Sequence, residues 1–362
     1  MNQRTLPNHY RQPNTRRSEH RTPPNTASPF NYNMLRPIIS GIAATLGLAI
    51  AAALLGPRNR FGPNVPTPQP APPTTPAALE DWLRQREAAY TDIVPGTEKC
   101  IIWNSTARTQ TQWAVAYLHG FSASRMETAP LADTVATALG ANLFYARLTG
   151  HGRGGAAMRE ACVQDWLADG IEAVRIARTL GKRVLVISCS TGATLATWLA
   201  LHPELCTVDA HVFISPNFKP RNKLSGIFNW PWGLQIALAV QGPIRSWPVT
   251  DPQEAAAWSN HYATQALLPL MALVRHVRQS DLSAFRAPVL MLYSDRDNTV
   301  DPRAIRAAYA RIGSQHKAIE EVTYSTATGQ HVLAGDIKAP QATAPLAASI
   351  VRWVNSVPAS TG

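Results

Sequence analysis

Along residues 77–357, short runs of aliphatic and β-branched residues alternate with longer stretches whose apolar positions recur three and four apart. The short runs are Cys100–Trp103, Trp113–Leu118, Asn142–Ala146, Val184–Ile187, His211–Ile214, Val289–Tyr293 and Glu320–Tyr324, and they predict β-strands. The longer stretches are Leu79–Tyr90, Glu127–Leu139, Glu160–Leu180, Ala193–Leu201, Arg303–Ile312 and Ala344–Val354, and they predict helices. Most of the strand runs are short and apolar, as in strands buried on both faces. The pattern therefore predicts an α/β fold, a mostly parallel sheet with helices on both faces. From Pro216 to about Leu282 the alternation breaks off. This segment holds Phe228, Trp230, Trp232, Trp247 and Trp258, with two helix-prone runs, Leu234–Val240 and Ala263–Val277. It predicts an inserted helical lid (about residues 216–282) over the C-terminal edge of the sheet, or simply more core; the two readings are compatible.

Upstream of the domain (residues 77–362) the pattern changes. Residues 1–36 are rich in Pro, Asn, Thr and Arg and poor in aliphatics, which predicts a disordered basic tail. Residues 37–55 form an uncharged apolar run. At ~1.5 Å per residue it reaches ~28 Å, one hydrocarbon core. It predicts a transmembrane signal anchor; the alternatives are a cleaved signal peptide ending near Ala51-Ala52-Ala53 and a buried helix. Met34 precedes this run, so Met1 and Met34 are both candidate start sites. Residues 56–76 hold eight prolines. They predict a polyproline-biased linker of up to ~60 Å, holding the domain off a membrane without packing on it.

Charge sharpens this organisation. Eight arginines against Glu19 alone put seven of the +11 net charges before residue 61. The excess belongs to a tail and a membrane flank, which argues against a basic groove for nucleic acid. The positive-inside rule places the tail in the cytoplasm and the domain outside, although Arg58 and Arg60 oppose it. A secreted or periplasmic product after signal cleavage is the alternative. Four cysteines, Cys100, Cys162, Cys189 and Cys206, are too few for a disulfide scaffold and lack metal-site spacing. Each reads as a small buried hydrophobe.

The chemistry centres on Val184-Leu185-Val186-Ile187-Ser188-Cys189-Ser190-Thr191-Gly192. An apolar strand stops at small residues and a helix follows at once, which places Ser190 on a sharp turn above the sheet. A serine hydroxyl becomes a nucleophile only beside a base that an acceptor orients. In an open parallel sheet those partners lie past the carboxyl ends of strands. His331 follows the last predicted strand and meets this condition; His316 precedes it, and His202 lies at the far end of the helix after Ser190. His261 and His276 fall in the insertion and stay open as contacts. The loop after Val289–Tyr293 offers Asp297, with Asp295 as its rival, and Asp301 as the cap of the helix after Pro302. An oxyanion needs fixed N–H donors. Thr191 at the helix start supplies one, and Phe121, after His119-Gly120, the other.

These segments give the chain a specific resemblance. His119-Gly120-Phe121 with Ser122-Ala123-Ser124, Arg147-Leu148-Thr149-Gly150-His151-Gly152, the Ser190 turn, and the Asp297 and His331 loops together resemble the α/β-hydrolase-fold serine hydrolases of the carboxylesterase and monoacylglycerol-lipase-like group. The resemblance covers about residues 78–356. It implies Ser190 as nucleophile, Asp297 as orienter, His331 as base, Phe121 and Thr191 as oxyanion hole, and His151 as a structural loop residue. It implies hydrolysis of a small-molecule ester and implies no metal or organic cofactor; the Trp-rich insertion suggests an apolar acyl or aromatic substrate. Acyl transfer or carbon–carbon hydrolysis at the same triad, and a non-catalytic binding module, are the alternatives. The family elbow is Gly-x-Ser-x-Gly; here Ser188 stands at the first glycine.

Overall fold

The computed structural model describes residues 32–62, 64, 66 and 70–358. Most of the expected basic tail, and part of the Pro-rich stretch, lie outside them. The chain divides between Ala52 and Ala53. Helix α1 spans Tyr32–Leu55 and starts five residues before the expected anchor. Its Arg36–Leu55 portion has a mean hydropathy of 2.3 and is long and apolar enough to cross a membrane. A signal sequence has the same length and composition.

The second unit begins with α2 (Pro76–Glu87) and β1 (Cys100–Ile102). Then come β2 (Thr111–Leu118), α3 (Leu131–Ala138), β3 (Asn142–Tyr145), α4 (Val163–Leu180), β4 (Gly181–Cys189), α5 (Thr191–Ala200) and β5 (Ala210–Ile214). An insertion follows, with α6 (Gly233–Gln241), β6 (Ile244–Ser246), α7 (Pro252–Ala257), β7 (His261–Ala263) and α8 (Leu267–Gln279). The chain returns through β8 (Val289–Tyr293), α9 (Pro302–Arg311), β9 (Lys317–Glu321) and α10 (Pro340–Ser356). Seven strands form one sheet in the order β1-β3-β2-β4-β5-β8-β9. Only the edge strand β1 runs antiparallel; every other pairing is parallel.

The sheet's two faces follow from the period-2 direction of strand side chains. Ala114, Ala116, Val184 and Val186 point to one face, where Leu167 and Ile171 of α4 and Leu195 and Leu199 of α5 cover them. Val115, Tyr117, Leu185 and Ile187 point to the other, against Leu131 and Val135 of α3 and Leu346 and Ile350 of α10. Strand β4 is central and buried from Val184 to Cys189. Its carboxyl end therefore opens where neighbouring loops meet.

Three details differ from expectation. The last strand is Lys317–Glu321, not Glu320–Tyr324. Its position is set by register with β8, which pairs Val289 with Lys317 and Tyr293 with Glu321. The insertion holds α6 and α8 near the expected helical runs, and also α7 and a two-stranded antiparallel pair, β6 with β7. Residues Ala263–Ala266 lie before α8 rather than within it. The start of the Pro-rich stretch packs on the domain instead of standing clear. Trp232 N–H donates to the Pro57 carbonyl at 2.9 Å. Asn59 Nδ2 donates to Leu268 O at 2.8 Å, and the Phe61 ring stacks on His276 at 3.8 Å. Backbone groups and an aromatic ring find partners there, which a linker read from proline content alone does not anticipate.

The cysteines are all free; Cys189 is buried and Cys162 is exposed at the N-cap of α4, unlike the buried hydrophobe expected of it.

Candidate active site

Strand β4 ends at Cys189 and α5 starts at Thr191, leaving Ser190 alone in the turn. Its backbone has φ 51° and ψ −111°, in the left-handed half of conformational space. A non-glycine residue held in such a sparsely populated region costs about 1–3 kcal/mol, so its surroundings must hold it there. Three elements do. Ser190 N–H donates to Ile214 O of β5 at 2.9 Å, and Ser190 O accepts from Ala193 N–H at 3.1 Å and Asn217 N–H at 3.1 Å. Gly192 lets α5 approach β2: a Cβ there would lie 2.2 Å from the Leu118 carbonyl oxygen. Cys189 is buried on the opposite face of the sheet, where burial beside the Glu127 carboxyl pushes its thiol pKa well above the usual value. Ser188 is also fully buried, and its hydroxyl donates to Val212 O at 3.4 Å.

Asp297 is fully buried, and its Oδ2 lies 2.7 Å from His331 Nδ1. Its Oδ1 accepts the N–H groups of Thr299 at 2.7 Å and Val300 at 2.9 Å. The two loops are fastened to each other, since Asn298 N–H donates to Gly329 O at 2.9 Å. Ser215 adds a third tie, with its Oγ donating to His331 O at 2.6 Å. The rival Asp295 is exposed and pairs with Arg306, away from His331. Asp301 caps α9 by accepting from Arg303 N–H at 3.1 Å and pairs with Lys219.

Ser190, Thr191, Phe121 and His331 line one cavity of about 480 Å³. His331 is the one histidine of the described residues on its wall. His316 bonds Ser356 Oγ at 3.2 Å, His202 pairs with Glu204, and His276 stacks on Phe61, so none of them reaches the serine. His261 is exposed on β7, off the cavity wall. The N–H groups of Thr191 and Phe121 donate no hydrogen bond within the described residues. Both are free for a ligand oxygen.

The Phe121 loop is held by its neighbours. His119 Nε2 accepts Leu148 N–H at 3.0 Å, so Nδ1 carries the proton and donates to Gly120 O at 2.9 Å. Burial lowers the His119 pKa to about 3, which keeps this tautomer neutral. His151 is likewise buried, with its pKa lowered to about 4, and packs between His119 and Trp166. Glu127, which the sequence reading placed at the start of a helix, is instead buried beneath Gly120. Its Oε1 accepts Gly120 N–H at 2.7 Å and Tyr117 O–H at 2.9 Å. Its signal in the sequence is Ser124-Arg125-Met126-Glu127, an S-x-x-E pattern that reads as a capping box. Ser215, at φ 45°, carries no comparable signal.

The insertion supplies the apolar roof. Phe228, Trp247, Trp258, Tyr262, Leu270 and Met271 line the cavity, whereas Trp230 and Trp232 face outward, 61% and 41% exposed. Among the described residues no group of three or more His, Cys, Asp or Glu is placed to hold a metal ion.

Strand order, elbow and loop placement define an α/β hydrolase. The profile of the serine aminopeptidase S33 hydrolases matches residues 109–327, and the chain belongs to that family. No curated protein matches the chain. Among solved structures, a metagenome-derived lipolytic enzyme is 20% identical with a TM-score of 0.56, covering 73% of this chain and 99% of its own. The monoacylglycerol lipase of Paleococcus ferrophilus is 14% identical with a TM-score of 0.51, covering 72% and 100%. The monoglyceride lipase of Saccharomyces cerevisiae is 12% identical with a TM-score of 0.56, covering 73% and 92%. At these identities the likeness is one of fold.

Proposed function

We propose that the protein is a serine esterase that cleaves apolar carboxylic esters through an acyl-enzyme on Ser190. The observation that carries this reading is the buried Asp297 held 2.7 Å from His331, on the wall of a cavity that also exposes the strained Ser190 turn. In the acylation step His331 Nε2 takes the Ser190 proton as Oγ attacks the ester carbonyl. Asp297 fixes the proton on Nδ1 and stabilises the imidazolium that forms. The negative charge on the carbonyl oxygen is met by the N–H groups of Phe121 and Thr191, the latter at the positive end of α5. His331 then returns the proton to the leaving alcohol. Water enters by the same route in reverse, attacks the acyl-serine and frees the acid.

The apolar roof supports an alkyl or aryl acyl group over a charged one, with the insertion acting as a lid. The lipase neighbours agree with that class. The apolar α1 is read as a signal anchor that leaves the domain outside; protease added to intact cells then removes the domain, and protection would refute this orientation. The enzymatic reading is tested on the full chain in detergent. A fluorophosphonate is expected to label Ser190 and abolish hydrolysis of aryl esters of graded chain length. Active protein without an adduct on Ser190 overturns it.

A further inference from the structure

We propose that Glu127 is a positioning residue of this active site, holding the Gly120 N–H while His119 holds the Gly120 carbonyl, so that Gly120 is fixed on both sides and the Phe121 N–H faces the reacting carbonyl oxygen. The inference rests on the roles given above to Ser190, His331 and Phe121. A buried carboxyl group is expensive to maintain, so its partners identify what it does. Glu127 is 2% exposed, and its Oε1 accepts from Gly120 N–H at 2.7 Å and from Tyr117 O–H at 2.9 Å. The Tyr117 oxygen in turn accepts from Thr128 Oγ1 at 2.7 Å, so its own proton is committed to Glu127. A Cβ on Gly120 would lie 3.0 Å from Glu127 Oε2 and 3.3 Å from Ser190 Cβ. Carboxyl group, loop and serine are therefore in close contact.

Gly120 is gripped through both of the peptide units it joins. Glu127 holds the Gly120 N–H, and His119 Nδ1–H holds the Gly120 carbonyl. Since the Gly120 carbonyl and the Phe121 N–H belong to one planar unit and point in opposite directions, fixing the first aims the second. Four groups face the carboxyl: Tyr117 from β2, the Gly120 N–H, the Cys189 thiol from β4, and His331 from the loop after β9. The first three are donors. An ionised carboxylate accepts from all three; protonation removes its charge and weakens its hold on the Gly120 N–H. Burial raises the Glu127 pKa to about 7, so this change falls within the working range. Activity is then lost as pH falls through about 7.

The test uses the full chain in detergent, an aryl ester and a fluorophosphonate. Misaiming one oxyanion donor costs about 100-fold in kcat, so Glu127→Ala is expected to fall by about that factor with KM within about threefold. Glu127→Gln keeps an acceptor for Gly120 N–H but does not titrate. The loss of kcat/KM that the unaltered protein shows as pH falls through about 7 is expected to disappear in this variant. A folded Glu127→Ala variant with unchanged kcat, or a Glu127→Gln variant with the pH profile of the unaltered protein, overturns the proposal. Should Glu127→Ala fail to fold, the Glu127→Gln profile decides alone. Absence of labelling at Ser190 in the unaltered protein overturns the active-site reading itself and is separately visible.

Discussion

Replacing Asp297 by Asn tests the orienter with almost no change of shape. The outcome follows from hydrogen-bond accounting. Asp297 Oδ1 accepts two backbone N–H groups, Thr299 at 2.7 Å and Val300 at 2.9 Å. An amide nitrogen cannot accept them, so the Asn oxygen must occupy that position. Its NH2 is then turned toward His331 Nδ1, where Oδ2 now sits at 2.7 Å. Two donors cannot face each other, so Nδ1 gives up its proton and the ring carries it on Nε2 instead. That tautomer cannot take the Ser190 proton. The expected loss is about 10⁴-fold in kcat, with substrate binding nearly unchanged. Asp295→Asn is the control. Its side chain is exposed and paired with Arg306, and kcat should stay within about twofold, as for surface changes generally. The assay is aryl-ester hydrolysis by both variants, with near-identical circular dichroism and melting. A folded Asp297→Asn enzyme within tenfold of the original, or an equal loss in Asp295→Asn, would refute the reasoning.

Three further outcomes are expected. Gly192→Ala places a methyl 2.2 Å from the Leu118 carbonyl oxygen, which must push α5 off β2; fluorophosphonate labelling of Ser190 should slow by at least about 100-fold, and normal labelling would contradict the close approach. Trp258→Ala enlarges the roof of the cavity; the kcat/KM preference should move toward longer acyl chains by about tenfold or more per added methylene accommodated, and an unchanged chain-length profile would remove Trp258 from the substrate site. His211 is buried against Phe213 and Phe285 with neither ring nitrogen partnered, and burial lowers its pKa to about 3. The unfolded chain binds the proton below ~6.5 and the folded one only near 3, so stability is lost as pH falls across that window, by ~2 kcal/mol at pH 5. His211→Leu should therefore gain ~2 kcal/mol more over the unaltered protein at pH 5 than at pH 7.5 in urea unfolding, and an equal gap at both pH values would contradict this.

Legibility of the fold followed burial. Val289–Tyr293 is buried on both faces and matches its expected boundaries. The edge strand Lys317–Glu321 is half-buried, and its position depends on register with β8, which composition does not carry. In the site, Ser190 was visible because a sharp strand-to-helix turn demands small residues in sequence order. His331 and Asp297 stand out in the sequence because they follow strands; in the structure they lie 2.7 Å apart, while Asp295 pairs with Arg306. Glu127 was not, since its partners are the Gly120 N–H and the Tyr117 hydroxyl, reached through tertiary packing. Its S-x-x-E context pointed to a helix start. The strap at Pro57–Phe61 was hidden for a related reason: proline content describes chain stiffness, not the Pro57 carbonyl, the Asn59 amide and the Phe61 ring that dock on Trp232, Leu268 and His276.

Ser188 shows which part of the elbow pattern is steric. Two glycines flank the family's serine, yet only one is required here. At Gly192 a Cβ would collide with the β2 backbone, so α5 could not start where it does. At Ser188 the chain is still in β4, in register between Leu118 and Phe213, and its side chain fits against the Val212 carbonyl. A serine there fills space beside β5 without entering the turn. The positive φ belongs to Ser190 itself and is held by Ile214 O, Ala193 N–H and Asn217 N–H. The strain is thus set by backbone bonds from β5, α5 and the segment after β5. None of these depends on a glycine at 188, so the turn survives its absence.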